Sequence, residues 1–275
     1  MKKGLIKKFI ITGLVTVMSL GLAACGSSNK KSESVMDSIK EKNKVVVGLS
    51  ADYAPYEFHI IENGQDKIVG FDVNLAEEIA KDLGVELEIK EMEFDSLITA
   101  LPAGKIDLII SGMNPTPERA EAVDFSEIYY TSQHGILVRA EDADKYKTFA
   151  DLNGKKVGAQ LGSTQAELAG ELIEDADLQL LANVNNLIIE LKSGKVDALV
   201  MELPVAKLAV QSNPELAVGE EVYEEESGGN AVAVKKGNED LVKEINNVID
   251  KLINDGSMDK FIQEATELAP QAVEE

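Results

Sequence analysis

Apolar positions along this chain follow two rhythms. At helical spacing, Leu75, Ala76, Ile79, Ala80 and Leu83 share one face, with Asp72 as a candidate cap at the start and Gly84 as the stop. A longer helix is predicted where Leu241, Val242, Ile245, Val248, Ile249, Leu252 and Ile253 recur in the same way. Between the helical stretches lie short runs rich in β-branched residues. Residues 44–48 read as a buried strand that starts the fold, residues 85–89 as an alternating strand, and residues 94–101 as a short helix. The same order then returns: a strand at 155–158, a helix at 164–173, a strand at 178–181 and a helix at 184–191. Pro204 suits the first turn of a further helix.

One segment is nearly written twice. Leu101-Pro102-Ala103-Gly104-Lys105-Ile106-Asp107-Leu108-Ile109-Ile110 recurs as Leu191-Lys192-Ser193-Gly194-Lys195-Val196-Asp197-Ala198-Leu199-Val200. Each copy is a helix end, a Gly-Lys turn and an apolar strand suited to a parallel sheet. Two copies predict two similar α/β lobes with a cleft between them. Ligands in open α/β sheets bind beyond the carboxyl ends of the strands. Those ends carry Ser111-Gly112-Met113-Asn114 in one lobe and Glu202 in the other. Two extended stretches, 135–138 and 230–234, are placed to join the lobes. Lobe one is then residues 44–132 and 230–275, lobe two is residues 133–229, and closure about the two joining strands is the expected motion.

The first residues do not belong to this pattern. Lys2, Lys3, Lys7 and Lys8 precede an apolar run at 9–22 that is too short and wrongly flanked for a stable membrane span. The run leads into Leu22-Ala23-Ala24-Cys25, and Cys25 is the sole cysteine of the 275 residues. This resembles the bacterial lipoprotein signal. The resemblance implies cleavage after residue 24 and lipidation of Cys25, which has no disulfide partner in its own chain. Residues 25–43 then read as the lipidated cysteine and a Ser-, Lys- and Asn-rich flexible tether. Loss of residues 1–24 removes four lysines and no acid, so the net charge deepens from −22 to −26. Such a chain repels nucleic acid and anionic headgroups, so acyl chains rather than a basic patch must hold it to a membrane.

Several residues could contact a ligand. Thr116 can cap a helix with Pro117 at its first position, which places Arg119 in the first turn, where free amides, the helix dipole and a bidentate guanidinium together suit a carboxylate. Gly162-Ser163-Thr164 is a strand-to-helix turn with amides that could hold an anion. Glu202 could meet an ammonium. Tyr53, Tyr56 and Phe94 could cover a ligand side chain with aromatic faces. No metal-ligand spacing, P-loop or Gly-x-Ser-x-Gly elbow is present, and no cofactor is implied.

In order and spacing, Gly70-Phe71-Asp72-Val73-Asn74-Leu75-Ala76, residues 101–113, Thr116-Pro117-Glu118-Arg119-Ala120 and Val123-Asp124-Phe125-Ser126 resemble the family 3 extracellular solute-binding proteins, the amino acid receptors of ABC importers. The resemblance covers about residues 44–266 and implies a type II periplasmic-binding-protein fold of two α/β lobes joined by two hinge strands. It implies Tyr53 and Phe94 as the aromatic cover, Ser111 and Gly112 as receivers of the α-ammonium, and Arg119 with Thr164 as the clamp on the α-carboxylate. Two positions depart from the pattern: Asn114 stands where Thr or Ser is usual, and Glu202 where Asp is common. Ser50 occupies a place where some relatives carry an acid that meets a basic side chain, so its neutrality weakens a claim for lysine or arginine.

The expected function is thus capture of a free, polar L-amino acid by a lipid-anchored monomer on the extracytoplasmic face, for delivery to ABC permease subunits, without enzymatic activity. The alternative is an enzyme resembling cyclohexadienyl dehydratases, with Glu202 as the general acid. A sensor ectodomain is disfavoured because no transmembrane or signalling segment follows residue 25.

Overall fold

A computed structural model describes residues 34–131, 133–224 and 226–273. The leader at 1–24 and Cys25 lie outside the described residues. The stretch expected to be a tether is ordered from Ser34 onward. Helix α1 (Val35–Glu41) is capped by the Ser34 hydroxyl and buries Met36 and Ile39. Met36 lies three positions and Val35 four positions before Ile39, and this shared face gives the segment a packing surface that its polar composition hides.

The chain then runs through β1 (Lys44–Leu49), β2 (Asp52–Tyr53), β3 (Glu57–Glu62), β4 (Gln65–Val69), α2 (Phe71–Leu83), β5 (Glu86–Glu91), α3 (Phe94–Ala100), β6 (Leu108–Ile109), α4 (Pro117–Ala122) and β7 (Val123–Tyr130). It continues with β8 (Gln133–Arg139), β9 (Lys156–Gln160), α5 (Thr164–Leu172), β10 (Asp177–Leu181), α6 (Val184–Lys192), β11 (Ala198–Glu202), α7 (Leu203–Ser212) and β12 (Leu216–Glu224). It ends with β13 (Asn230–Lys235), α8 (Glu239–Asn254) and α9 (Ser257–Leu268).

Two five-stranded sheets carry the two lobes, in the orders β5-β1-β6-β13-β7 and β10-β9-β11-β8-β12. The orders are equivalent: in each, the repeated strand (β6 or β11) pairs in parallel with β1 or β9 and antiparallel with a strand next to the crossing, β13 or β8. The crossings themselves fall between Tyr130 and Gln133 and between Glu224 and Asn230. Hence β8 and β13 are full members of opposite sheets rather than free connectors.

Gly84 ends α2 in the left-handed conformation, as its position predicts. Asp72 does not cap that helix. Gly70 is the N-cap, and Asp72 sits inside the first turn, fully buried. At Gly70 a β-carbon would stand 1.9 Å from the Tyr56 carbonyl oxygen, so only glycine lets α2 approach the loop after β2. A third sheet, β2-β3-β4, extends from that loop. Tyr53, Tyr56, Phe71 and Tyr130 stack beside it with centroids 4.5–5.6 Å apart, forming an aromatic plug beside one crossing.

Candidate functional site

The repeated strands end where the two lobes face each other, and there a small, tight cavity lies between them. Ser50, Asp52, Tyr53, Glu57, Phe94, Ser111, Gly112, Asn114, Gln160 and Gln165 line it. All but the two glutamines come from the lobe of the first sheet. Of the residues expected at the site, Tyr53, Phe94, Ser111, Gly112 and Asn114 are brought together on this wall.

Arg119 and Thr164 close one edge. Thr116 caps α4 by accepting from the Arg119 amide at 3.2 Å, which holds Arg119 in the first turn. The Arg119 guanidinium donates to the Asn114 carbonyl at 2.9 Å and, across the cleft, to the Gly162 carbonyl at 2.8 Å. It also lies over the Phe94 ring, 5.5 Å from the centroid. Thr164 donates to the Asn114 side-chain oxygen at 3.0 Å, a second link between lobes. A third is the Asp52 carboxylate, which accepts from the Val184 amide at the start of α6 at 2.6 Å. The lobes are therefore closed on each other, with polar groups of both facing one small space.

Three expected contacts are placed elsewhere. The Met113 side chain packs in the core beside Phe94 and Leu97. The Ser163 hydroxyl is consumed in capping α5, accepting from the Ala166 amide and donating to the Gln160 carbonyl. Glu202 is fully buried behind the cavity wall: it accepts from Tyr56 and from Asn230 (3.1 Å), while its amide donates to the Tyr53 hydroxyl at 3.1 Å. The longer Glu side chain reaches into the hinge network rather than the cavity.

The acids on the wall are Asp52 and Glu57. Neither belongs to a motif in the sequence; β2 is two residues long, and only the turn into β3 aims both inward. Burial pushes the Asp52 carboxyl up to about 6, against hydrogen bonds from Val184 and Ser50 that favour its charge. Burial also drives Glu57 well above the usual carboxylate range, reinforced by the charge of Asp72. Ser111 donates to one Glu57 oxygen, and the other has no partner. Gln160 and Gln165 supply amides from the second lobe. Periodicity could not flag them, because they sit at strand and helix ends where no pattern separates inward from outward.

A closed two-lobed α/β fold, with a guanidinium at one edge of the cleft and carboxyl groups on its wall, offers groups of both charges to whatever enters the space between the lobes. Comparison with known proteins agrees. The family model for bacterial extracellular solute-binding proteins, family 3, matches residues 45–266. The arginine-binding extracellular protein ArtP of Bacillus subtilis (strain 168) is 39% identical over 259 residues, spanning 93% of this chain and 96% of ArtP. The crystal structure of the amino acid ABC transporter substrate-binding protein AbpA from Streptococcus pneumoniae, bound to L-arginine, superposes with a TM-score of 0.83 at 42% identity, covering 86% of this chain and 100% of that one. The ancestral amino acid-binding protein AncCDT-1, a precursor of cyclohexadienyl dehydratase, superposes with a TM-score of 0.75 at 36% identity, covering 85% of this chain and 99% of that one. This chain belongs to the bacterial extracellular solute-binding proteins, family 3. Its close relatives are binding proteins of amino acid ABC transporters and not enzymes, and the dehydratase alternative falls with that.

Proposed function

We propose that this protein captures a cationic L-amino acid, L-arginine first, by closing its lobes around it, and hands it to the permease of an ABC importer. In this reading a lipid on Cys25 holds a monomeric receptor at the extracytoplasmic face of the membrane. The observation that carries the ligand class is the pair of acids on the cavity wall: Asp52 and Glu57 face the cavity at residues where the sequence offered only the neutral Ser50. Arginine-binding relatives support the same choice. Arg119 and Thr164 take the α-carboxylate, Tyr53 and Phe94 cover the aliphatic stem, and the acids receive the guanidinium. A ligand that touches both lobes stabilises the closed state by its differential affinity for it.

Titration calorimetry of the purified full chain in mild detergent, after unfolding and refolding to strip bound ligand, tests this. L-Arginine should bind far more tightly than its uncharged isostere L-citrulline. Arg119→Ala should weaken arginine by at least about tenfold, since a charge-assisted hydrogen bond contributes about 1.5–3 kcal/mol and part is regained when the variant no longer breaks its contacts to Asn114 and Gly162. Equal affinity for arginine and citrulline would refute the cationic reading. Unchanged affinity in Arg119→Ala would remove that residue from the site.

A further inference from the structure

Behind Glu57 lies a second buried acid that ligand contact does not require. Asp72 and Glu57 are both fully buried. One Asp72 oxygen accepts from the Gly112 amide at 2.8 Å and from the Tyr129 hydroxyl at 2.9 Å. Its other oxygen, like the second oxygen of Glu57, has no donor. Consecutive residues at the end of β6 hold the two carboxyls, the Ser111 hydroxyl donating to Glu57 and the Gly112 amide to Asp72, so the two acids are neighbours. Two carboxylates in a dry site cannot both stay ionised, and one proton between them satisfies both orphaned oxygens at once.

The groups facing this pair come from four elements. Asp52 faces it from β2, Glu202 from the end of β11 and Tyr129 from β7, while Ser111 and the Gly112 amide follow β6. No lysine, arginine or histidine ion-pairs with either carboxyl among the described residues. His59, on the same strand as Glu57, turns to Asp66 and Glu91 instead. The neighbourhood is therefore acidic throughout. Burial holds both carboxyls above the ordinary range, and hydrogen bonds from Gly112 and Tyr129 oppose this at Asp72.

Of the pair, Glu57 lines the cavity and Asp72 does not. A cationic side chain entering the cavity meets Glu57 first. We propose that Glu57 and Asp72 hold one shared proton in the empty cavity, and that capture of a cationic amino acid expels this proton to solvent. This rests on the cationic-ligand reading above. The exchange leaves the net charge of the buried site unchanged: one positive charge enters on the ligand and one leaves as the proton. A ligand with an uncharged side chain has nothing to exchange for it. The pair thus acts as a charge sensor that sets selectivity, and it makes arginine affinity fall with acidification.

The test is calorimetry of L-arginine binding to the purified full chain at about pH 7 in phosphate, HEPES and Tris, whose ionisation enthalpies differ. The slope of observed heat against buffer ionisation enthalpy counts the protons exchanged. Release of about one proton per arginine is expected, with apparent affinity dropping by up to about tenfold per pH unit below the ionisation of the pair. In Asp72→Asn the new amide donates to Glu57 and lets it ionise in the empty cavity, so the count falls toward zero. In Glu57→Gln it falls likewise, with weaker binding. Circular dichroism establishes that each variant folds, and the wild-type slope decides the matter should one of them not. Arginine binding with no buffer dependence overturns the proton release alone. Release that persists in Glu57→Gln overturns the assignment to this pair. Absence of binding by arginine and lysine overturns the cationic reading and the release with it.

Discussion

Gly162→Ala separates folding from closure. Gly162 lies in the turn between β9 and α5, with φ of +78°. A β-carbon there would stand 2.8 Å from the Asp95 β-carbon and 3.2 Å from its α-carbon, both on α3 of the opposite lobe. Two costs follow. The left-handed backbone costs a non-glycine residue about 1–2 kcal/mol. This cost is present whether the lobes are open or closed, so it lowers stability without touching affinity. The contact with Asp95 arises only when the lobes meet, and overpacking of this kind costs about 1–3 kcal/mol. That part opposes closure and appears as about 5- to 150-fold weaker arginine binding. Thermal unfolding without ligand should show a loss of about 2–8 °C, and titration calorimetry the weaker affinity. Asp95→Gly in the same chain deletes the nearest atom and should restore part of the affinity. The Asp95 side chain has a buried oxygen without a partner, so its removal strands no donor there. A loss of stability with unchanged affinity would refute the reasoning, because the lobes would then not meet at Gly162 in the bound state. Failure of Asp95→Gly to recover binding would place the obstruction elsewhere.

Acid should stabilise the ligand-free protein. Asp52, Glu57 and Asp72 have folded-state values raised by burial, so their contribution to stability declines as pH climbs from the ordinary carboxylate range toward the raised values, about 6 for Asp52. His59, raised by Asp66 and Glu91, contributes fully at low pH and loses its contribution as pH rises through its folded value. Asp124 and Asp151 are lowered by hydrogen bonds and lose theirs only below the usual carboxylate range. The melting temperature should therefore fall between about pH 5 and pH 8, and calorimetric scans showing a steady rise over that window would contradict the account. Cys25→Ser should move the protein from the membrane fraction to the soluble fraction of expressing cells, and unchanged fractionation would rule out the lipid anchor.

Much of the fold could be read locally. The apolar stripe of α8, the Gly84 stop of α2, the Thr116 cap of α4 and both copies of the helix-turn-strand repeat each lie within one short window. Their signals come from side-chain period and backbone preference, which need no partner. Other elements gave weaker cues. β12 is acid-rich at an exposed sheet edge, and β2 is too short to show a period. Helix α9 is also legible in the sequence, since Met258, Phe261, Ile262 and Ala265 follow helical spacing.

The site divides in the same way. Sequence by itself determined the two-lobed α/β plan, the family, and an arginine held at a capped helix start near the ends of the repeated strands. Only the tertiary structure decided which acids face the cavity. Ser50, Asp52 and Glu57 sit within eight residues, and that all three face the cavity depends on the β2–β3 turn and on the lobe packed opposite. Glu202, marked by the repeat, is drawn away by Tyr56 and Asn230, which are 146 and 28 residues distant in the chain. A carboxyl group's direction and charge are set by the donors and the solvent around it, and those are assembled from remote segments only when the chain folds.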